Sequence, residues 1–349
     1  MTGNTFVVPD MKTYNVNEAP FALYGLCREP GEHDFKRLPH WLPPTTGNEI
    51  IPKLYTNTAG IRLRFKTDSM RIVLHCRLPE LCKVMTMPVS GSAGFDMYAD
   101  GRYCSVFHPG IDRNGCHTEP ENYEYGYSSG YNFPDRKLRD IVINFPTYNP
   151  VSEVYISMEE DACLLPGEAY RHEKPVLFYG SSITQGGCSS HPGNHYPAMI
   201  SRMLDVDIIN LGFSGGCRAE PEMAEYIAGQ DMSVFVFDYD HNAQSVEHLS
   251  QTHHRFYQRI RARNPQLPIV MISAADQCFA DYLQRREVIV QSYQQAVASG
   301  DKNVYFLDWV QIYKDFGQDV CLVDFAHPND LGFYCMANAI APVIAPLLA

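Results

Sequence analysis

From Val176 onward the sequence alternates short, nearly continuous apolar runs with longer amphipathic stretches, and few architectures accept that alternation. The runs are Pro175-Val176-Leu177-Phe178, Asp207 to Gly212, Ser233 to Tyr239, Pro268 to Ser273 and Val304 to Asp308. Runs of this length without polar alternation read as strands buried on both faces. Between them lie helical patterns: a run capped by Asn194 and ending at Leu204, Glu220 to Gln230 with Pro221 at an N1-like position, Val246 to Arg263, and Tyr282 to Ser299. A last helix opens at Asp330-Leu331-Gly332 and runs to about Leu347. This βαβ succession implies an α/β domain with a mostly parallel sheet and helices on both faces. Such sheets place ligands at the carboxyl ends of their strands.

The first half follows another rule. Residues 1–60 are rich in Pro, Asn and Gly, with Trp41-Leu42-Pro43-Pro44 in the middle, and read as irregular with a few short strands. Ile61 to Thr67 and Met70 to Cys76, split by Asp68-Ser69, suggest a hairpin. Asp100-Gly101 inside the run Gly94 to Tyr103 is a second hairpin turn. Leu138 to Phe145 and Val151 to Met158 are further strands, split by Pro146 to Pro150. With no helix evident, this half reads as an all-β sandwich of the jelly-roll kind. The pattern changes near Leu164-Leu165-Pro166-Gly167-Glu168, so the domains are expected at 1–168 and 169–349. The stretch Glu121 to Asn132 holds Tyr123, Tyr125, Tyr127 and Tyr131 among small polar residues. It fits a sugar-stacking surface or a long loop packing its own rings.

Four patches of chemically able residues fall at strand ends: Gly180-Ser181-Ser182-Ile183-Thr184, Asn210 to Gly215, Asp240-His241-Asn242, and Asp324-Phe325-Ala326-His327-Pro328. Taken singly, each has a plain structural use. A serine can cap a helix, a glycine can make a turn, an asparagine can make an Asx-turn and a histidine can be a buried donor. In order, and each near a strand end, the four resemble the blocks of the SGNH/GDSL hydrolases over residues 170–349. Gly94-Phe95-Asp96-Met97-Tyr98 is similar to the Gly-x-Asp-Leu-Tyr signature of the β domain that precedes some bacterial SGNH esterases. The resemblance implies a flavodoxin-like three-layer α/β/α domain and a serine esterase. It implies Ser182 as nucleophile, His327 as general base and Asp324 as the carboxylate that orients it. It implies an oxyanion hole from the N–H groups of Ser182 and Gly215 and the side-chain amide of Asn242. Two positions depart from the family: Ser181 stands for its usual Asp, and Asp240-His241-Asn242-Ala243 for Gly-x-Asn-Asp. His241 and Tyr127 are candidate substrate contacts, although such a histidine also commonly serves a loop hydrogen bond.

Composition closes off other classes. The 349 residues carry a net charge of −12, which lacks the basic footprint of nucleic-acid binding and disfavours anionic membranes. No apolar run approaches the ~20 residues of a membrane span. The start has no basic, hydrophobic leader, so the expectation is a cytoplasmic protein or a chain whose leader has been removed. The 11 cysteines include no Cys-x-x-Cys. Cys188 and Cys217 follow the first two patches, either as neighbours or as small residues suited to tight loops. His191, His195, His248, His253 and His254 form no recognised ligand spacing, and no phosphate loop occurs, so neither metal nor organic cofactor is expected. The resemblance implies as partner a small-molecule or oligosaccharide acyl ester, acetyl above others. A homo-oligomer is compatible with the sequence. The rivals are an esterase or thioesterase for a non-carbohydrate ester, and a carbohydrate-binding protein that has lost catalysis.

Overall fold

The computed structural model describes residues 6, 8–82, 84–108, 126–273, 280–309 and 312–348. The chain divides into two compact units. The first comprises Met1–Lys36, Thr56–Ala169 and Ser190–Gly193, and the second Arg37–Tyr55, Tyr170–Ser189 and Asn194–Ala349. The expected single boundary at 168 therefore misses two exchanges: 37–55 joins the second unit and 190–193 joins the first.

The first unit carries β1 (Met11–Asn15), β2 (Ala22–Tyr24), β3 (Arg62–Thr67), β4 (Arg71–Arg77), β5 (Phe95–Ala99), β6 (Arg102–Phe107), β7 (Tyr127–Asn132), β8 (Arg139–Asn144), β9 (Glu153–Glu159) and β10 (Leu164–Pro166). One antiparallel sheet runs β1-β9-β4-β7, and the other runs β10-β3-β8-β5-β6 with β2 beside β3. Alternate residues of both sheets, such as Ile72, Leu74, Ile156 and Met158 from one and Leu63, Phe65, Met97 and Ile143 from the other, share a single core. The expected hairpin of β3 and β4 is corrected here, because the two strands lie in different sheets. The corner between them is captured by Glu159, whose Oε2 accepts from Met70 N–H at 2.8 Å and from Ser69 Oγ at 3.2 Å. The Asp100-Gly101 hairpin forms as expected, joining β5 to β6 with both turn residues at positive φ.

Tyr123 and Tyr125 lie outside the described residues. Tyr127 and Tyr131 do not form a stacking platform. Both pack against the sandwich core, and the Tyr127 hydroxyl sits 3.0 Å from the Ala93 and Phe107 carbonyl oxygens. The candidate sugar contact at Tyr127 is thus a core ring tied to main chain.

Asp96 of the Gly-x-Asp-x-Tyr signature is fully buried and explains why 190–193 belongs to this unit. Its carboxylate accepts from Asn144 Nδ2 at 2.6 Å, from His191 Nδ1 and from Gly193 N–H. The His191 ring stacks on Tyr103 at 4.7 Å.

The second unit is built on β11 (His172–Gly180), β12 (Val206–Gly212), β13 (Val234–Asp238), β14 (Ile269–Ser273) and β15 (Val304–Asp308), all parallel, in the order β12-β11-β13-β14-β15. Odd and even residues of each strand feed opposite layers. Leu177, Phe235, Phe237 and Met271 pack on the helices Pro221–Ala228, Val246–Arg263 and Tyr282–Ala298. Val176, Phe178, Val236 and Ile272 pack on the helices Tyr196–Leu204 and Asp330–Ile344. This is the expected three-layer α/β/α arrangement, and its strand order reverses beside β11. By length and hydropathy, 330–347 could cross a bilayer, contrary to the expectation that no run could. Its Phe333, Met336, Ile340 and Ile344 are buried on the sheet instead. The helix at Tyr196 is capped by His195, whose Nδ1 accepts from Ala198 N–H at 3.3 Å. Asn194, the expected cap, donates to Asp330 at 3.0 Å.

Replacing Asp96 by Ala strands three donors, one of them a buried main-chain N–H. We expect a loss of about 3 kcal/mol or more of unfolding free energy, read from urea denaturation followed by circular dichroism. A loss below about 0.5 kcal/mol would mean that the buried carboxylate does not hold the 190–193 segment.

Candidate active site

Ser182 is the first residue of a four-residue helix, Ser182–Gln185, that leaves the carboxyl end of β11 directly. Ser181 is its N-cap, fully buried, with Oγ accepting from Ile183 N–H at 3.2 Å. The position where the family usually has Asp is therefore spent on the turn itself. Gly180 is fixed by space, since a Cβ there would lie 1.8 Å from Asp238 Oδ1. Gly212 is fixed likewise, 2.2 Å from Gln185 N.

Asp238, at the end of β13, is the neighbour that Gly180 admits. Its Oδ1 accepts from Thr184 Oγ1 at 2.5 Å and its Oδ2 from the Tyr196 hydroxyl at 3.2 Å. Burial pushes this carboxyl up to about 7, against the pull of the Thr184 hydrogen bond. No sequence motif marked Asp238; only the register of β11 beside β13, which pairs Gly180 with Asp238, brings it under the turn.

Asp324 and His327 come from the loop ahead of the last helix. Val323 N–H donates to His327 O at 2.8 Å, which closes the loop, and Phe325 at its tip has φ 64° and is 86% exposed. Asp324 Oδ1 accepts from His327 N–H at 2.8 Å, and both carboxylate oxygens lie 2.9 Å from His327 Nδ1. The other ring nitrogen, Nε2, lies 2.8 Å from Ser182 Oγ. Partial burial acts to raise the Asp324 pKa, but the His327 main chain, ring and charge outweigh it and hold the carboxyl below its ordinary value. A hydroxyl, an imidazole and a carboxylate in this order can generate an alkoxide-like nucleophile and return its proton to a leaving group.

Gly215 and Asn242 are brought together, but not as two independent donors. Gly215 N–H donates to Asn242 Oδ1 at 3.2 Å, and Asn242 Nδ2 donates to Phe213 O at 2.9 Å. These partners fix the amide's orientation, because flipping it would set donor against donor and acceptor against acceptor. The Gly215 N–H thus positions Asn242 rather than facing a reacting oxygen, and Asn242 keeps one amide hydrogen to offer. His241 has its Nδ1 3.6 Å from Asp240 and its ring edge-on to Trp309 at 6.2 Å.

Three supports carry no sequence motif. Arg285, buried on the Tyr282–Ala298 helix, donates to the Asp240 and Ala243 carbonyls at 2.8 and 3.0 Å, and so closes the 240–243 turn that lacks the family's Gly and Asp. Arg37 donates to the Gly212 and Asn210 carbonyls and lies over the Phe213 ring. Asn48 donates to Gly216 O at 2.6 Å and to buried Glu220. These bonds bind 37–55 into the second unit. Their signal in sequence is nil, since a side chain reaching a main-chain carbonyl needs no particular partner residue. A surface cavity of about 510 Å³ lined by His172, Lys174, Arg263 and Pro268 lies at the opposite, amino ends of the strands and holds none of these residues.

Comparison with known proteins finds matches to both parts of the chain. The model of the GDSL-like lipase/acylhydrolase family matches residues 173–345, and that of the N-terminus of SGNH-hydrolase-type esterases matches 11–164. No curated protein sequence matches. Among solved structures, a Bacteroides ovatus protein described as a GDSL-like lipase is 26% identical, covers 97% of this chain and 98% of its own, and has a TM-score of 0.84. A salicylyl-acyltransferase from a tetracycline biosynthetic pathway is 18% identical, covering 98% and 100%, with a TM-score of 0.77. A family two carbohydrate esterase from Clostridium thermocellum in complex with cellohexaose is 14% identical, covering 82% and 92%, with a TM-score of 0.60.

The Asp238 environment has a pH signature. Folding raises this carboxyl from an ordinary value of roughly 4 to about 7, so the folded chain keeps a proton that the unfolded chain has released. The stability it confers is full below the ordinary value and is lost as pH rises through about 7. Melting temperatures of the wild type are expected to fall across that window relative to Asp238→Asn, which keeps an acceptor for Thr184. Parallel curves for the two proteins would mean that Asp238 titrates normally.

Proposed function

Residues 173–345 belong to the GDSL-like lipase/acylhydrolase family and follow the N-terminal domain of SGNH-type esterases; from that premise we propose a serine esterase that removes small acyl groups, acetyl foremost, from a carbohydrate or glycoside. The observation that carries the reading is the chain of contacts from Ser182 Oγ to His327 Nε2 at 2.8 Å and from His327 Nδ1 to Asp324 at 2.9 Å.

In this reading His327 Nε2 takes the Ser182 proton as Oγ attacks the acyl carbonyl. Asp324, held as a carboxylate by its loop, keeps the other ring nitrogen protonated and offsets the imidazolium charge. The tetrahedral oxyanion is met by the Ser182 N–H and by the free amide hydrogen of Asn242, with Gly215 holding that amide in place. Collapse expels the alcohol, which leaves with the proton from His327. Water then repeats the sequence on acyl-Ser182, and no metal or organic cofactor takes part. The carbohydrate is supported by the esterase found with cellohexaose. The full-length likeness to an acyltransferase favours a second outcome for the same intermediate, passage of the acyl group to an alcohol acceptor.

Ser182→Ala is expected to abolish hydrolysis of p-nitrophenyl acetate; equal rates in the two proteins, or none in either, would sink the esterase reading. Asn242→Ala is expected to lower kcat by about 10²–10³-fold with KM little changed, whereas a change confined to KM would make Asn242 a substrate-binding residue. Acetate release from a panel of acetylated oligosaccharides, with and without an added alcohol, separates the sugar from other esters and water from other acceptors.

A further inference from the structure

Beside the Ser182–His327–Asp324 chain lies a side chain that the reaction does not use. Cys188 is 6% exposed, is not in a disulfide, and sits at φ 70°, a left-handed conformation that few residues other than Gly, Asn and Asp adopt. Its Sγ, a carboxylate oxygen of Asp324 and a ring nitrogen of His327 all lie within 4.8 Å of one another. Cys188 follows the nucleophile helix, and the other two precede the last helix, so two separate loops converge on one point.

A thiolate, an imidazole and a carboxylate are the ligand types of zinc. A tetrahedral ion with bonds of about 2.0–2.3 Å spaces its ligand atoms about 3.3–3.8 Å apart, so closure asks each side chain to move by under about 1 Å. Cys188 is buried, while Asp324 and His327 are part-exposed, 32% and 24% by side chain. The mixed set excludes magnesium and calcium, which require oxygen ligands.

We propose that Cys188, Asp324 and His327 form an inhibitory site for a thiophilic divalent cation, with zinc the fitting one. Binding releases the Cys188 thiol proton to solvent and breaks the Asp324–His327 pair. Either ring nitrogen gives the same result. A metal on Nε2 occupies the lone pair that must take the Ser182 proton. A metal on Nδ1 leaves the proton on Nε2, where it blocks the same transfer. The chain is then switched off by its own base, and a chelator restores it.

The inhibition arm rests on the esterase reading; the binding arm does not. Titration of the full chain with ZnCl2 in the calorimeter is expected to show one site that Cys188→Ala lacks, with Cys188→Ser as the second variant should the first not fold. Hydrolysis of p-nitrophenyl acetate is expected to fall with zinc, recover with EDTA and ignore MgCl2. In Cys188→Ala, at wild-type activity without zinc, half-inhibition should need about 10–100-fold more metal or higher. No zinc binding to the wild type, or equal binding and inhibition in the wild type and both Cys188 variants, would overturn the site.

Discussion

The buried carboxylate of Asp238 is the contact on which the arrangement turns. It reaches from the end of β13 under the turn that leaves β11, and it takes hydroxyl hydrogens from Thr184 and Tyr196. Only a glycine at 180 leaves room for it. The turn it supports is the one that presents Ser182, and it lies where the strand order β12-β11-β13 reverses. A fully buried carboxyl with its pKa raised to about 7 is costly to hold charged. The cost is offset by two hydroxyl donors, one of them Thr184 in the Ser182–Gln185 helix itself. Ser181, capping that helix, completes the support from the other side.

Around this point the second unit secures its 210–220 and 240–243 loops from distant chain segments, while the 323–327 loop is closed by its own bonds. Arg37 and Asn48 come from before the β11 strand and hold the 210–220 region by its carbonyls. Arg285 comes from a helix after β14 and does the same for 240–243. Buried guanidinium groups suit this task, because their planar fork can satisfy several carbonyls at once. The result is that Ser182 starts a helix directly off β11, and the loops carrying Gly215 and Asn242 are fastened to rigid elements. Asn242 shows the principle on a small scale: its amide oxygen is held by Gly215 N–H so that its nitrogen can be offered elsewhere.

Much of this was legible because the strands are buried on both faces. Val246 to Arg263 and Val304 to Asp308 have the same bounds in the sequence pattern and in the structure, and the other parallel strands agree within a few residues, since unbroken apolar runs leave little choice. The four patches at their ends followed. What was illegible has a common cause, namely partners far away in sequence. Asp68-Ser69 looks the same in a hairpin as in a sheet-to-sheet corner, and Glu159 makes the choice from the end of β9. Asn194 and His195 can both cap a helix, and Asp330 drew Asn194 away. Tyr127 looked like a binding residue because tyrosines among small polar residues look alike whether their rings face in or out. The exchange of 37–55 and 190–193 between units rests on Arg37, Asn48 and Asp96, whose bonds run to main chain or to single side chains across the fold.

If Ser182, activated by His327, carries the proposed reaction, its oxygen becomes covalently acylated during turnover. Acid quenching of the full chain during turnover of p-nitrophenyl acetate, followed by peptide mapping in the mass spectrometer, reads this directly. An acetyl group is expected on the peptide containing Ser182, appearing with the first turnover and decaying when substrate is exhausted. A turning-over enzyme whose Ser182 stays unmodified, or whose acetyl group resides on another residue, would contradict it.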